Sequence, residues 1–331
     1  MKPEFFLSHR ERMEKTISGE TPDRAPVALW RHFPVDDQSA DGLAKASSIF
    51  QKQYDFDFIK ITPSSSFCVS DWGIQDTWNG NTEGTRDYKN QIINVPEDWY
   101  KLKSLDPTLG SLGRQIDCAK MLVKEFSPET PLIQTIFSPL SQAKNLVGKN
   151  NLPIHVRKYP EAVAYGLDII VETTLRFINE IKKINLDGIF FAVQQAQYNI
   201  FSADEFIKFG KYYDLKICSN LSGFWLNVLH LHGTEVMFDH VLDYPVQIIN
   251  WHDRQTKPNI ADAILRYDGV VCGGLSQWET IVKGSPNQVF SEAREILEIT
   301  NHKKIVLGTG CVVPIIAPHG NVQAARQSVE K

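Results

Sequence analysis

Two histidines and one cysteine carry the sharpest chemical signal in this sequence. His230 and His232 close the apolar run Leu226–Gly233 (LNVLHLHG), and Cys311 follows a glycine turn within Lys303–Pro314 (KKIVLGTGCVVP). A strand repeats every two residues, so both imidazoles leave it on the same side. Two imidazoles and a thiolate make a tridentate zinc set with its fourth position open, the arrangement of a catalytic zinc. The bland reading is a pair of hydrogen-bonded histidines without metal and a small buried cysteine. The two readings part on whether the fold carries Cys311 across to the histidines.

The elements that must do so are readable as a repeat. Apolar runs rich in β-branched and aromatic residues begin at Pro26 (PVALWR) and recur at Asp57–Thr62, Pro131–Phe137, Asp187–Val193 and Trp225–His232. Three more follow at Val246–His252, Asp268–Gly274 and Lys304–Gly310. Helical lengths separate most of them: about Asp41 to Gln53, Tyr159–Lys183 and Ala203–Leu221. Such alternation predicts βα units around parallel strands, and this number of units predicts an α/β fold, a closed (β/α)8 TIM barrel. The whole chain, 1–331, reads as one domain. Residues 76–124, rich in Trp, Asp and Gly, read as an insertion passing over the barrel mouth.

A barrel does its chemistry at the C-terminal ends of its strands. There the sequence places Arg31 and His32, Thr62 to Ser66, Ser138 and Ser141, Gln194, Gln195 and Gln197. His252 with Asp253, and Gly310 with Cys311, continue the set. Arg31 is the candidate anion anchor, against a simple rim salt bridge. Ser64, Gln194 and Gln195 are candidate substrate contacts. His252 is a candidate acid or base and the reserve ligand behind His232, against a solvated His-Asp loop pair.

Composition excludes several classes. Lys and Arg total 35 against 39 Asp and Glu, a net charge of −4 with no long run of one sign, so nucleic acid and anionic membranes are poor partners. No apolar run approaches the roughly 20 residues of a bilayer span. The charged opening MKPEFFLSHRERMEK is unlike a signal peptide. Five scattered cysteines form no disulfide framework, and a reducing cytoplasm is expected.

The opening RERMEKTISGETPDRAPV and the close LGTGCVVPIIAPHGNVQAARQSVE resemble the two ends of the uroporphyrinogen decarboxylase superfamily. The resemblance spans the chain and implies a (β/α)8 barrel, in agreement with the count of runs. The superfamily implies two activities: metal-free decarboxylation of uroporphyrinogen, and zinc-dependent methyl transfer from a methylated corrinoid protein to a thiol.

The decarboxylase pattern is broken three times. Arg31 in LWRHFPVDD matches the first arginine of the family's M-R-Q-A-G-R-Y, but Val35 stands at the second. Ser64 falls where the essential aspartate belongs, with Asp71 seven residues later, and Cys311 replaces the histidine of the closing N-L-G-H-G. The methyltransferase pattern, H-x-C and a distal cysteine after Gly, is matched by His230 and Cys311, with His232 in place of the middle cysteine. Histidine binds zinc as cysteine does, but a single thiolate leaves the metal a stronger Lewis acid.

The resemblance therefore implies a methyltransferase with zinc on His230, His232 and Cys311, and a small-molecule substrate. A corrinoid would be its methyl donor, carried on a partner protein, and a homodimer is the assembly considered. The alternatives are a metal-free decarboxylase or lyase acting on a tetrapyrrole or a smaller carboxylated substrate, and a non-catalytic tetrapyrrole-binding barrel.

Overall fold

The computed structural model describes residues 6–330. Seven strands form one parallel sheet in chain order: β1 (Ile59–Ile61), β2 (Leu132–Phe137), β3 (Gly188–Val193), β4 (Val228–Leu231), β5 (Ile248–Trp251), β6 (Val270–Leu275) and β7 (Ile305–Thr309). Every residue of these strands is buried, as a parallel sheet covered on both faces requires. That is why their sequences read as continuous apolar runs rather than alternating ones.

The first of the eight expected runs is not a strand. Pro26–Arg31 makes a single parallel bridge, Val27 to Leu307. Pro26 has no N–H to give, and the Val27 N–H goes to the Asp57 side chain at 2.7 Å instead of to a neighbouring strand. The stretch still lies between the two edges of the sheet. Ala28 donates to Leu307 on β7, and Asp57, just before β1, donates to Val27. The sheet is a curled, seven-stranded one with this extended segment along its seam.

Helices return the chain between strands. Ala40–Tyr54 follows the seam segment, Pro139–Val147 and Pro160–Lys182 follow β2, and Pro286–Ile299 precedes β7. The Ala203 helix is interrupted by a π-helical stretch, Ile207–Lys211. The expected insertion, 76–124, is about two-thirds as long as the sequence suggested. Its second part, Gly110–Phe126, is the crossover helix between β1 and β2, amphipathic and packed against Ala40–Tyr54. Only the part before it is an excursion, with a two-residue antiparallel ribbon, Asp76–Thr77 with Asp87–Tyr88.

At the N-terminal end of the sheet, buried Asp57 pairs with Arg12 and Arg24 at 2.7 Å and with His9 at 2.9 Å. These cations hold its carboxyl well below the usual range against the opposing effect of burial. Among the described residues no helix is long and apolar enough to cross a membrane.

Candidate metal centre

The histidines and the cysteine meet at the C-terminal end of the sheet. Cys311 Sγ lies 3.8 Å from His230 Nε2 and 3.7 Å from His232 Nδ1. His252 joins them, its Nε2 3.4 Å from His232 Nδ1. All four donor atoms lie within 4.8 Å of one another, a group able to hold a metal ion. Zinc with bonds of about 2.0–2.1 Å to nitrogen and about 2.3 Å to sulfur sets tetrahedral edges of about 3.4 Å between nitrogens and about 3.6 Å from nitrogen to sulfur. The three measured separations lie close to those edges, so the residues fit a bound metal ion.

Each donor arrives by a local device. The period of two brings both β4 imidazoles to one side. In the sheet register His230 stands opposite Asn250 on β5. Asn250 donates from Nδ2 to the Cys272 and Thr309 carbonyls at 2.9 and 3.0 Å, which leaves Oδ1 to accept from His230 Nδ1 at 2.6 Å. His230 is thereby fixed as the tautomer with its Nε2 lone pair facing the cluster. Cys311 is delivered by Gly310, where a Cβ would stand 2.7 Å from His252 Cα and 2.8 Å from the Trp251 carbonyl. Only glycine lets the end of β7 come this close to the end of β5.

Burial dominates the electrostatics. It lowers all three imidazoles, His230 far below its ordinary value and His232 to about 3, with repulsion from neighbouring imidazoles adding to the effect at His230 and His232. Burial and Glu83 push the Cys311 thiol up to about 12. The protein alone therefore assembles neutral imidazole lone pairs around an un-ionised thiol. A cation at the centre is what would draw the thiolate out.

A cavity of about 70 Å³ opens beside the cluster, lined by His230, His232 and Cys311 together with Lys60, Glu83 and Gln194. Two larger clefts, about 650 and 660 Å³, hold none of the four donors. The expected substrate contacts divide. Gln194 lines the cavity with its Oε1 unpartnered. Gln195 is buried outside the lining, and Gln197 clamps two loops together, donating to the Gln194 carbonyl at 2.7 Å and accepting from Thr234 N at 3.2 Å. Ser64 faces Ser66 at 3.4 Å, and its neighbours Pro63 and Ser65 line the cavity in its stead.

Arg31 is turned away. Alternation along the extended segment points Trp30 and His32 into the cavity and Arg31 out, onto Phe33 and Phe50 at 5.1 and 5.9 Å from the ring centroids. The His252-Asp253 pair is buried rather than solvated, and Asp253, accepting from Gly274 N at 3.1 Å, is not one of the grouped donors. Lys60, in the middle of β1, is the cation the sequence reading missed. Its Nζ lies 4.5 Å from the Phe190 ring centroid.

The model of the family described as uroporphyrinogen decarboxylase (URO-D) matches residues 8–331. The chain belongs to the uroporphyrinogen decarboxylase family. Within this family-wide likeness its relatives are methyltransferases. It is 21% identical over 234 residues to methylcobamide:CoM methyltransferase MtbA of Methanosarcina acetivorans, covering 70% of this chain and 67% of that protein. A methyltransferase structure from Methanosarcina mazei superposes with a TM-score of 0.85 at 18% identity, covering 97% and 98% of the two chains. The fold extends to a B12-independent methionine synthase from Shewanella sp. W3-18-1 in complex with selenomethionine, with a TM-score of 0.58, 14% identity and 93% of each chain covered.

Proposed function

We propose that this family member is a zinc-dependent methyltransferase that moves a methyl group from a corrinoid, carried on a partner protein, to a thiol. The observation that carries the reading is the four-donor cluster, which includes His230 and Cys311, the two residues that match the ligand pattern the resemblance implies for the family's methyltransferases. We read the seam segment Pro26–Arg31 as the eighth stave of a (β/α)8 barrel that closes around this centre, the chain acting as one domain.

Bound zinc would lower the pKa of the acceptor thiol and leave a thiolate nucleophile at neutral pH. The chain's own residues prepare for it. Asn250 presents His230 Nε2, and Gly310 admits Cys311. His252 occupies the fourth donor position that the sequence left open, and we assign it as the donor that yields to the acceptor sulfur. His230 is pinned by Asn250 and Cys311 follows a packed turn, whereas His252 opens the loop after β5. Gln194 Oε1, buried without a partner, is an acceptor waiting for a polar group of the substrate.

The decarboxylase and tetrapyrrole-binding alternatives lose their support in this geometry. Arg31 is turned away, and a cavity of about 70 Å³ falls well below the roughly 300 Å³ of a drug-sized pocket. Purified zinc-loaded protein with free methylcobalamin and a panel of small thiols tests the reading. Thioether formation matched by loss of the methylcobalamin absorbance, and abolished in Cys311→Ser, is the expected result. No thioether with any thiol refutes it, as does chromatographic evidence of stepwise uroporphyrinogen decarboxylation.

A further inference from the structure

We propose that the cavity beside the metal cluster takes a small zwitterionic thiol, an amino-acid thiol whose carboxylate pairs with Lys60 and whose ammonium pairs with Glu83. The proposal rests on the thiol-acceptor reading above and narrows it to a substrate class.

Two groups of opposite charge line one small cavity, neither of them paired with a counter-charge. Lys60 is 8% exposed, and its Nζ has one hydrogen-bond partner, Thr62 Oγ1 at 3.2 Å. Its ammonium lies over the faces of Phe190 and Trp30, 4.5 and 5.9 Å from their centroids. Phe190 in turn stacks on His230, centroids 5.3 Å apart and planes at 27°, so Lys60 flanks the cluster on the side of β3 and β4. Among the described residues no carboxylate pairs with Lys60.

Glu83 lines the same cavity. It comes from the excursion before the Gly110–Phe126 helix, and its Oε1 accepts from Gln277 Nε2 at 2.9 Å. The same Gln277 amide donates to the Val312 carbonyl at 2.7 Å, tying Glu83 to the residue after Cys311. No cation acts on Glu83 among the described residues. A charge taken out of water without a counter-charge is costly, and buried Lys60 and half-buried Glu83 are two such groups beside one cavity, where a ligand would complete both pairs. Burial accordingly lowers the Lys60 ammonium to about 7 and raises the Glu83 carboxyl, and an incoming counter-charge reverses both shifts.

A small thiol with an α-ammonium and an α-carboxylate meets all three demands: sulfur toward the His and Cys donors, carboxylate to Lys60 and ammonium to Glu83. A thiol with only an acid leaves Glu83 facing nothing, and a thiol with only an amine leaves Lys60 so.

Calorimetric titration of the zinc-loaded protein decides the matter, with L-cysteine and L-homocysteine set against 3-mercaptopropionate, 2-mercaptoethanesulfonate and cysteamine. At least one amino-acid thiol is expected to bind tenfold or more tighter than every singly charged thiol. Lys60→Met should erase its advantage over cysteamine, and Glu83→Gln its advantage over 3-mercaptopropionate. The comparison among thiols on the wild-type protein stands even if a variant misfolds. Singly charged thiols binding as tightly as both amino-acid thiols overturns the zwitterion and leaves thiol binding at the cluster intact. No binding of any thiol overturns both.

Discussion

Asn250 stands directly opposite His230 in the sheet register and accepts a hydrogen bond from its Nδ1 at 2.6 Å. Both Asn250 amide hydrogens are already committed to the Cys272 and Thr309 carbonyls, so the amide cannot turn over and the imidazole cannot change tautomer. Asn250→Ala removes this orientation and strands two buried carbonyls. Zinc affinity is expected to fall roughly 10–100-fold, with a stability loss of about 1–3 kcal/mol. Asn250→Asp, which keeps an acceptor for His230, should retain more zinc than Asn250→Ala. Competition with a chromophoric chelator measures both, and equal affinity in wild type and Asn250→Ala contradicts the role.

His230 and His252 are expected to differ as ligands. His230→Ala should lose nearly all the metal, because a pinned donor is gone. His252→Ala should keep zinc within roughly tenfold of wild type, since three donors suffice for a catalytic zinc, while methyl transfer changes. Equal loss in the two variants would show a closed four-ligand site and remove the open position on which the thiol reading depends.

Gly310 tests how Cys311 is delivered. A Cβ at this position meets the β5 backbone at 2.7 and 2.8 Å, and main chain cannot step aside as a side chain can. Gly310→Ala should therefore cost about 1–3 kcal/mol in a thermal melt and cost zinc affinity more than stability. A variant that binds zinc normally would mean that the approach of β7 to β5 is not needed.

The sequence was most legible where one periodicity governed. Seven buried runs became strands, and His230, His232 and Cys311 arrived together because every strand ends at the same side of the sheet. The failures have local causes. Pro26–Arg31 reads as a strand by composition, but a proline and the Asp57 carboxylate take its hydrogen-bonding positions. Arg31 has a plausible charge on the wrong side of an alternating segment, and His32 is the neighbour that lines the cavity. Lys60 and Asn250 lie inside apolar runs, where a polar residue looks like noise. A lysine in DFIKIT and an asparagine in VQIINWH were the available signals, since a buried polar residue needs a partner or a function. Gln194 and Gln195 differ only in which one the turn aims at the cavity, and no spacing rule resolves that.

Far from the metal centre, His9 should give the fold a pH dependence of its own. Burial alone would lower its pKa, but Asp55 and Asp57 outweigh burial and raise it to about 9. A raised folded pKa means that the stabilisation is complete below the unfolded value near 6.5 and is lost as pH rises through about 9. The expected loss is on the order of 2–3 kcal/mol, read as a falling melting temperature over that window. His9→Ala should flatten the fall, and an unchanged slope would place the dependence elsewhere. In the other direction, the depressed Asp57 carboxyl keeps its stabilising charge until pH falls well below the usual carboxylate range.

The central claim is a zinc ion on this particular donor set, and X-ray absorption at the zinc edge tests it most directly. Protein purified with zinc should hold about one ion per chain, with one sulfur at about 2.3 Å and nitrogen neighbours at about 2.0–2.1 Å. Cys311→Ser should lose most of that zinc while its far-ultraviolet circular dichroism stays that of the wild type. Near-zero zinc in both proteins, or a bound zinc with no sulfur neighbour, contradicts the account.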